Sequence, residues 1–147
     1  MTPTREVRKT AVRLSDGREL SYFDWAAQPG RDAADQRGLL PAQADCQLRY
    51  DPLLAAWVMY GAHRQDRSYL PAAADCPLCP SAGGRHTEIP AIDYEVAVFE
   101  NRYPALAVSA GPASLAVSAG AASPPGALLP VRPSAGRCEV ICFTSVW

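Results

Sequence analysis

The chain has 147 residues, of which 48% are apolar and 20% charged, a balance typical of a single globular domain. Its 14 basic and 15 acidic residues leave a formal net charge of -1, which excludes bulk electrostatic binding to nucleic acid. No apolar run is long enough to span a membrane and residues 1–20 lack an apolar signal core, so we expect a cytoplasmic protein that binds neither nucleic acid nor membrane.

A β-hairpin is predicted near the start of the chain. Two segments in which apolar and polar residues alternate, 10–14 and 18–23, flank the pair Asp16-Gly17. An Asp-Gly pair in that setting is the strongest short-range hairpin signal. Residues 24–47 are mixed, and their charged run at 31–37 is long enough for one or two helical turns.

Further strands are predicted where apolar residues alternate or cluster between turn signals. They cover residues 48–50, 57–60 and 94–99, and the last of these alternates most regularly. A loop rich in Pro, Cys and Gly, residues 62–91, separates the second strand from the third. Residues 137–143 alternate again and are predicted to form a buried strand.

Residues 107–135 have low complexity, since most of them are Ala, Ser, Gly or Pro. The hexapeptide Leu-Ala-Val-Ser-Ala-Gly occurs at 106–111 and again at 115–120, and two copies are too few for a solenoid. Such a segment cannot offset the entropy of ordering, which predicts a disordered insertion. It would divide the chain into a main region 1–106, the insertion 107–135 and a truncated core strand of the same domain, 136–147.

The strongest chemical motif is the C-x-x-C pair in Cys76-Pro77-Leu78-Cys79. Two thiolates at this spacing can reach one tetrahedral zinc ion. A thioredoxin-like redox pair is the weaker hypothesis, because no helix is predicted after the second cysteine. Two unligated thiols in a loop are a further alternative to the zinc site. A zinc ion needs two further ligands, and the candidates in the chain are Cys46, His63, His86, Cys138 and Cys142.

None of these candidates closes the zinc site by its spacing. Cys138 and Cys142 lie four residues apart on the predicted strand and face the same side among apolar neighbours, so buried structural thiols are the better interpretation. A second polar cluster contains Arg64 and Arg67, which are spaced for an anion-binding fork, although spacing alone favours a solvated charged loop. No catalytic triad is indicated around His63.

Several motifs, in one order along the chain, resemble those of galactose-1-phosphate uridylyltransferases of the actinobacterial type. They include Cys-Pro-Leu-Cys-Pro, Phe-Glu-Asn-Arg-Tyr-Pro-Ala-Leu and Gly-Arg-Cys-Glu-Val-Ile-Cys-Phe-Thr-Ser. The segments that carry the resemblance are 48–53, 57–58, 63–67, 76–80, 87–90, 93–94, 98–106 and 136–145. Because they cover most of the chain outside 107–135, the resemblance is more specific than the C-x-x-C pair alone.

The resemblance implies a fold and an activity. The fold would be α+β, a histidine-triad-like antiparallel sheet with flanking helices, of which this chain would hold only the first half-domain. The activity would be uridylyl transfer between UDP-glucose and galactose-1-phosphate in the Leloir pathway of galactose metabolism, through a covalent uridylyl-histidine and in a homodimer.

The resemblance also assigns roles to individual residues. Cys76 and Cys79 would be two of four zinc ligands. Arg64 and Arg67 would reach the substrate from the neighbouring subunit, and Asn101 would contact the nucleotide. At position 102 an arginine stands where the family often has an acidic residue.

The nucleophile is the main departure from the family. The family's third zinc ligand follows the Cys-Phe-Thr-Ser segment as Asp-His, where this chain has Val146 and Trp147. Its fourth ligand and its nucleophile belong to a His-Pro-His-Gly-Gln motif that this sequence lacks. We therefore assign no catalytic residue and expect the isolated chain to be inactive. Two alternatives remain: one half of a split enzyme that a separate C-terminal chain completes, or a non-enzymatic zinc-knuckle interaction module.

Overall fold

Seven short β-strands account for most of the regular structure in the part of the chain that the structure describes. A computed structural model describes residues 6–41, 46–61, 71–106, 126 and 129–143. The strands are β1 (Arg8–Arg13), β2 (Glu19–Asp24), β3 (Cys46–Asp51), β4 (Ala56–Gly61), β5 (Val96–Glu100), β6 (Val131–Pro133) and β7 (Glu139–Phe143). They fall into two units. The first comprises Met1–Leu40, Leu70–Glu100 and Val140–Trp147, and the second comprises Pro41–Tyr69 and Asn101–Glu139.

The first unit contains a four-stranded sheet in the order β1-β2-β5-β7. Its β1 and β2 form the predicted hairpin, with Arg13 paired to Glu19 next to the turn. Within the turn the Gly17 amide donates to the Leu14 carbonyl, 2.9 Å away, and Gly17 has a φ of 87°. A glycine adopts that backbone conformation without the steric cost of a Cβ, which explains why the Asp-Gly signal was informative here.

One face of this sheet carries the hydrophobic core. Strand β2 pairs with β5 in antiparallel register, so that Leu20 lies opposite Phe99. The fully or nearly buried side chains of the core are Leu14, Leu20, Tyr22, Ile89, Ala91, Tyr94, Ala97 and Phe99. The strand predicted at 94–99 is confirmed with a small shift. The predicted buried strand at 137–143 is only half right, because Ile141 and Phe143 of β7 are 60% and 71% exposed.

The second unit contains a three-stranded sheet in the order β4-β3-β6. Its β3–β4 hairpin confirms the two strands predicted at 48–50 and 57–60. The third strand, β6, lies within the low-complexity segment 107–135, and its Val131 pairs with Arg49. Most of that segment, 107–125 and 127–128, lies outside the described residues. The described end of the segment is therefore a sheet strand, held by Ser134, whose hydroxyl donates to the Ala105 carbonyl.

The expected α+β fold with flanking helices is wrong. Within the described residues the molecule is nearly all β, and its helical content is a single 3-10 turn, Ala73–Asp75. The charged run at 31–37 forms turns instead of helix. The physical reason is local: between the strands, Pro and Gly recur too often for a helix, and the apolar residues follow a period of two instead of 3.6. No helix of the described part is long and apolar enough to cross a membrane.

A buried ion network joins the β1–β2 turn to two loops of the first unit. Arg18 is fully buried and donates through Nε to Asp16, at 2.8 Å, and through Nη2 to Glu88, at 2.5 Å. Glu88 also pairs with Arg37, at 2.9 Å, and Arg37 pairs with Asp35, at 2.7 Å. Each charge therefore has a partner, as burial requires.

Asp35 makes the stability of this network depend on pH. Burial alone would raise the pKa of Asp35, but hydrogen bonds from Arg37 and Ser15 outweigh it and hold that pKa well below its usual range. A carboxylate with a depressed pKa stabilises the fold fully above its unfolded pKa, about 3.9, and the contribution is lost as the pH falls toward the folded pKa.

We therefore expect Asp35→Asn to lower the free energy of unfolding at pH 7 by about 1.5–3 kcal/mol, the usual size of a hydrogen bond to a charged group. The gap between variant and wild type should narrow between about pH 5 and pH 2. Urea unfolding midpoints across this range provide the measurement. The neighbouring Asp32 is exposed, so Asp32→Asn is the matched control and should match wild type throughout. A gap that stays constant with pH would contradict the prediction.

Candidate functional site

The two cysteines of the C-x-x-C motif lie in the first unit, at a tight turn of the loop that precedes β5. The 3-10 turn Ala73–Asp75 ends directly before Cys76, and Pro77 and Leu78 form the turn between the cysteines. The Glu88 amide donates to the Pro77 carbonyl at 3.0 Å, and the Thr87 hydroxyl donates to the Cys79 carbonyl at 2.5 Å. The returning segment of the loop thus holds the backbone of Pro77 and of Cys79.

The turn directs backbone N–H groups at the first sulfur. The amides of Leu78 and Cys79 donate to Cys76, which also accepts a hydrogen bond from the Cys79 thiol. Burial would raise the pKa of Cys76, but these hydrogen bonds and the nearby Arg85 charge outweigh it and lower that pKa. The same contact with Cys76, followed by burial, raises the pKa of Cys79. Cys76 is therefore the thiol that ionises more easily.

This arrangement fits two of the four ligands of a tetrahedral zinc ion. Adjacent sulfurs on one turn, one of them already accepting two backbone hydrogen bonds, are the donor set that a thiolate metal site requires. Across the described ranges, no group of three His, Cys, Asp or Glu side chains is arranged to hold a metal ion.

A third cysteine, Cys142, lies near the pair without joining it. It sits on β7, packs against the core and shares a hydrogen bond with Tyr94. Burial, then the nearby Cys76 and Cys79, raise the pKa of Cys142. Burial and the same three thiols raise the pKa of Tyr94 to about 12. The structure thus supports the interpretation of Cys142 as a structural thiol, although a spacing argument could not have placed it beside the motif.

The other candidate ligands are placed elsewhere or not described. Cys46 is fully buried in the second unit, where its thiol donates to the Pro104 carbonyl at 2.9 Å. Cys138 accepts, through its carbonyl, a hydrogen bond from the Asn101 amide at 2.8 Å. His86 is exposed in the loop of the first unit. His63 lies outside the described residues, as do Arg64 and Arg67, so the predicted anion fork stays a prediction.

The predicted nucleotide contact Asn101 belongs to the second unit. Its side-chain Oδ1 accepts a hydrogen bond from the Tyr103 amide at 2.9 Å, which closes a small turn after β5. Both the backbone amide and the side-chain oxygen of Asn101 are thus hydrogen-bonded within the chain. The side-chain NH₂ group has no hydrogen bond among the described contacts of this turn. An amide fixed in this way offers donors at a defined position.

A residue that the sequence reasoning missed is Arg85. It follows the pair Gly83-Gly84, which turns the loop back with φ angles of 58° and 80°. Its backbone amide donates to the Ala82 carbonyl at 3.0 Å, which closes the turn. Its guanidinium group then reaches the C-x-x-C turn. The Gly-Gly pair was the available signal, since it forces a tight reversal that returns the next residue to the motif.

Comparisons with known proteins agree with the motifs. The family described as galactose-1-phosphate uridyl transferase, N-terminal domain, matches residues 40–146. The chain is 40% identical over 139 residues to galactose-1-phosphate uridylyltransferase of Streptomyces lividans, which covers 95% of this chain and 32% of the relative. It is 36% identical over 101 residues to the enzyme of the same name from Thermotoga maritima, covering 67% of this chain and 27% of the relative.

No solved structure is significantly similar to the chain. The chain spans about a third of the length of the curated relatives that it matches. The family match covers well over half of the chain, and it includes the C-x-x-C turn, Asn101 and all of β3 to β7. The chain therefore belongs to the galactose-1-phosphate uridylyltransferase family and corresponds to its N-terminal domain.

Proposed function

We propose that this chain is the N-terminal part of a zinc-containing hexose-1-phosphate uridylyltransferase. The activity would be transfer of a uridylyl group between UDP-glucose and galactose-1-phosphate in the Leloir pathway, in the cytoplasm. The observation that carries the proposal is the 40% identity to the Streptomyces lividans relative over 95% of this chain. Identity that extends across nearly the whole chain disfavours the alternative of a separate zinc-knuckle interaction module.

Residues of this chain would bind the metal ion, the phosphate groups and the nucleotide. Cys76 and Cys79 would hold the zinc ion, which when bound supplies folding free energy and rigidity to the loop. Arg64 and Arg67 would bind phosphate oxygens, for which guanidinium groups are well suited. Asn101 would present its NH₂ group to the nucleotide from the turn that Tyr103 closes.

The nucleophile and the remaining metal ligands would come from another polypeptide segment. The histidine that carries the uridylyl group in the proposed reaction must attack the α-phosphorus, and the two histidines of this chain, His63 and His86, are not in a His-Pro-His context. We propose that a C-terminal segment, corresponding to the rest of the relatives, completes the site, and that the assembled protein is a homodimer.

A chimera tests this function directly. The matching 139-residue region of the Streptomyces lividans relative is replaced by this chain, and uridylyl transfer from UDP-glucose to galactose-1-phosphate is measured. We expect the chimera to be active, the isolated chain to be inactive, and Cys76→Ser in the chimera to reduce both zinc content and activity. Arg8→Gln, at an exposed position of β1, is the control and should keep both. A folded but inactive chimera beside an active parent would overturn the proposal.

A further inference from the structure

Arg85 connects three parts of the loop around the C-x-x-C turn. Its Nη1 donates to the carbonyl of Ala74, in the 3-10 turn before the motif, and to the carbonyl of Cys76, at 3.4 Å. The charge of the same guanidinium group also acts on the nearby sulfur of Cys79. One side chain thus connects the 3-10 turn before the motif with the first cysteine of the motif.

These contacts fix the direction of the sulfurs. The Cys76 carbonyl is held by Arg85 while the amides of Leu78 and Cys79 point at the Cys76 sulfur, so this turn has hydrogen bonds on both sides. The backbone of Arg85 is itself anchored, because its amide closes the Gly83-Gly84 turn at Ala82. The guanidinium group therefore extends from a hydrogen-bonded turn.

We propose that Arg85 is a positioning residue of a site for a thiolate-binding divalent cation, and that it orients the cysteine turn through the hydrogen bonds of its guanidinium group to the backbone. The inference rests on the metal role proposed above for Cys76 and Cys79, and it adds a residue that the motif spacing does not include. Arg85 acts through the cysteines and does not itself contact the cation.

The chemistry suits an arginine better than a lysine. A planar guanidinium group presents several N–H donors in a fixed geometry, so it can hold two carbonyl oxygens and still face the Cys79 sulfur. A lysine keeps the charge but lacks that geometry. Partners that orient metal ligands are worth about 10–100-fold in metal affinity, which sets the expected size of the effect.

Cadmium binding to the full 147-residue chain tests the inference, because Cd²⁺ is a soft cation that prefers thiolates. The titration follows the ultraviolet charge-transfer band between thiolate and cadmium, so its readout is independent of catalysis. We expect Arg85→Gln and Arg85→Lys to weaken the apparent Kd about 10–100-fold relative to wild type. Arg8→Gln, matched in charge change and exposed on β1, should bind as wild type.

The outcomes separate this inference from the proposed function. Wild-type binding with an unchanged Kd in both Arg85 variants overturns the inference and leaves the metal role of the cysteines standing. An unchanged Kd in Arg85→Lys, beside a weakened Kd in Arg85→Gln, overturns the role of the guanidinium geometry. No cadmium band in wild type overturns the inference, whereas the proposed function is tested separately by the zinc content and activity of the chimera. Far-UV circular dichroism identifies a variant that fails to fold, in which case the other Arg85 variant decides.

Discussion

Arg18→Ala should lower the free energy of unfolding by about 3–5 kcal/mol, the usual cost of removing one partner of a buried ion pair. Arg18 is fully buried and Asp16 is 1% exposed, so the variant leaves the Asp16 carboxylate without its counter-charge and without access to water. It also removes the bond from Nη1 to the Glu100 carbonyl, at 2.7 Å. The urea unfolding midpoint measures the loss.

Arg13 provides the control in the same hairpin. It is exposed and donates one hydrogen bond to the Gly17 carbonyl at 3.0 Å, so Arg13→Ala should cost only about 0.5–1.5 kcal/mol. Arg18→Lys should lie between the two, because an ammonium group cannot contact Asp16, Glu88 and Glu100 together in the same geometry. Equal midpoints for Arg18→Ala and Arg13→Ala would contradict the prediction, since the buried network would then contribute no more than one exposed hydrogen bond.

Phe99→Ala is expected to cost a similar amount, about 3–5 kcal/mol, through loss of apolar burial and the cavity that remains. Phe99 is 2% exposed and lies opposite Leu20, in the middle of the core face of the first unit's sheet. Phe99→Leu keeps much of the volume and should cost less than about 1.5 kcal/mol. Urea unfolding with an unchanged m-value is the measurement.

Phe143 is the matched control for Phe99, since it is the same residue type on the neighbouring strand β7. It is 71% exposed, so Phe143→Ala should change the free energy of unfolding by less than about 0.5 kcal/mol. If Phe143→Ala proved as destabilising as Phe99→Ala, the assignment of the core to one face of the sheet would be wrong.

The sequence predicted those elements whose cause is local. The hairpin of β1 and β2 follows from the Asp16-Gly17 turn between alternating segments, and β3, β4 and β5 follow from short apolar runs. Strand β6 could not be predicted, because its Val131 pairs with Arg49, far away in the sequence, and its own composition suggests disorder. The flanking helices came from the family resemblance and not from the periodicity, which nowhere supports them.

The sequence predicted the part of the candidate site that follows from the spacing of its residues. Cys76 and Cys79 are close together because a C-x-x-C turn brings them together. The role of Arg85 depends on a loop that folds back, and the buried positions of Arg18 and Asp16 contradict the default that charged residues lie at the surface. Such positions depend on tertiary partners, which a single sequence does not display.

Glu88 connects the cysteine turn to the hairpin of the first unit. Its amide holds the Pro77 carbonyl, while its carboxylate pairs with Arg18 and Arg37. Opening the cysteine loop would therefore break contacts of the hairpin turn, so we expect the two segments to exchange their amide hydrogens as one cooperative unit. A cation held at the cysteines would consequently slow amide exchange in β1 and β2, far along the chain from its ligands, by mass action on that shared opening.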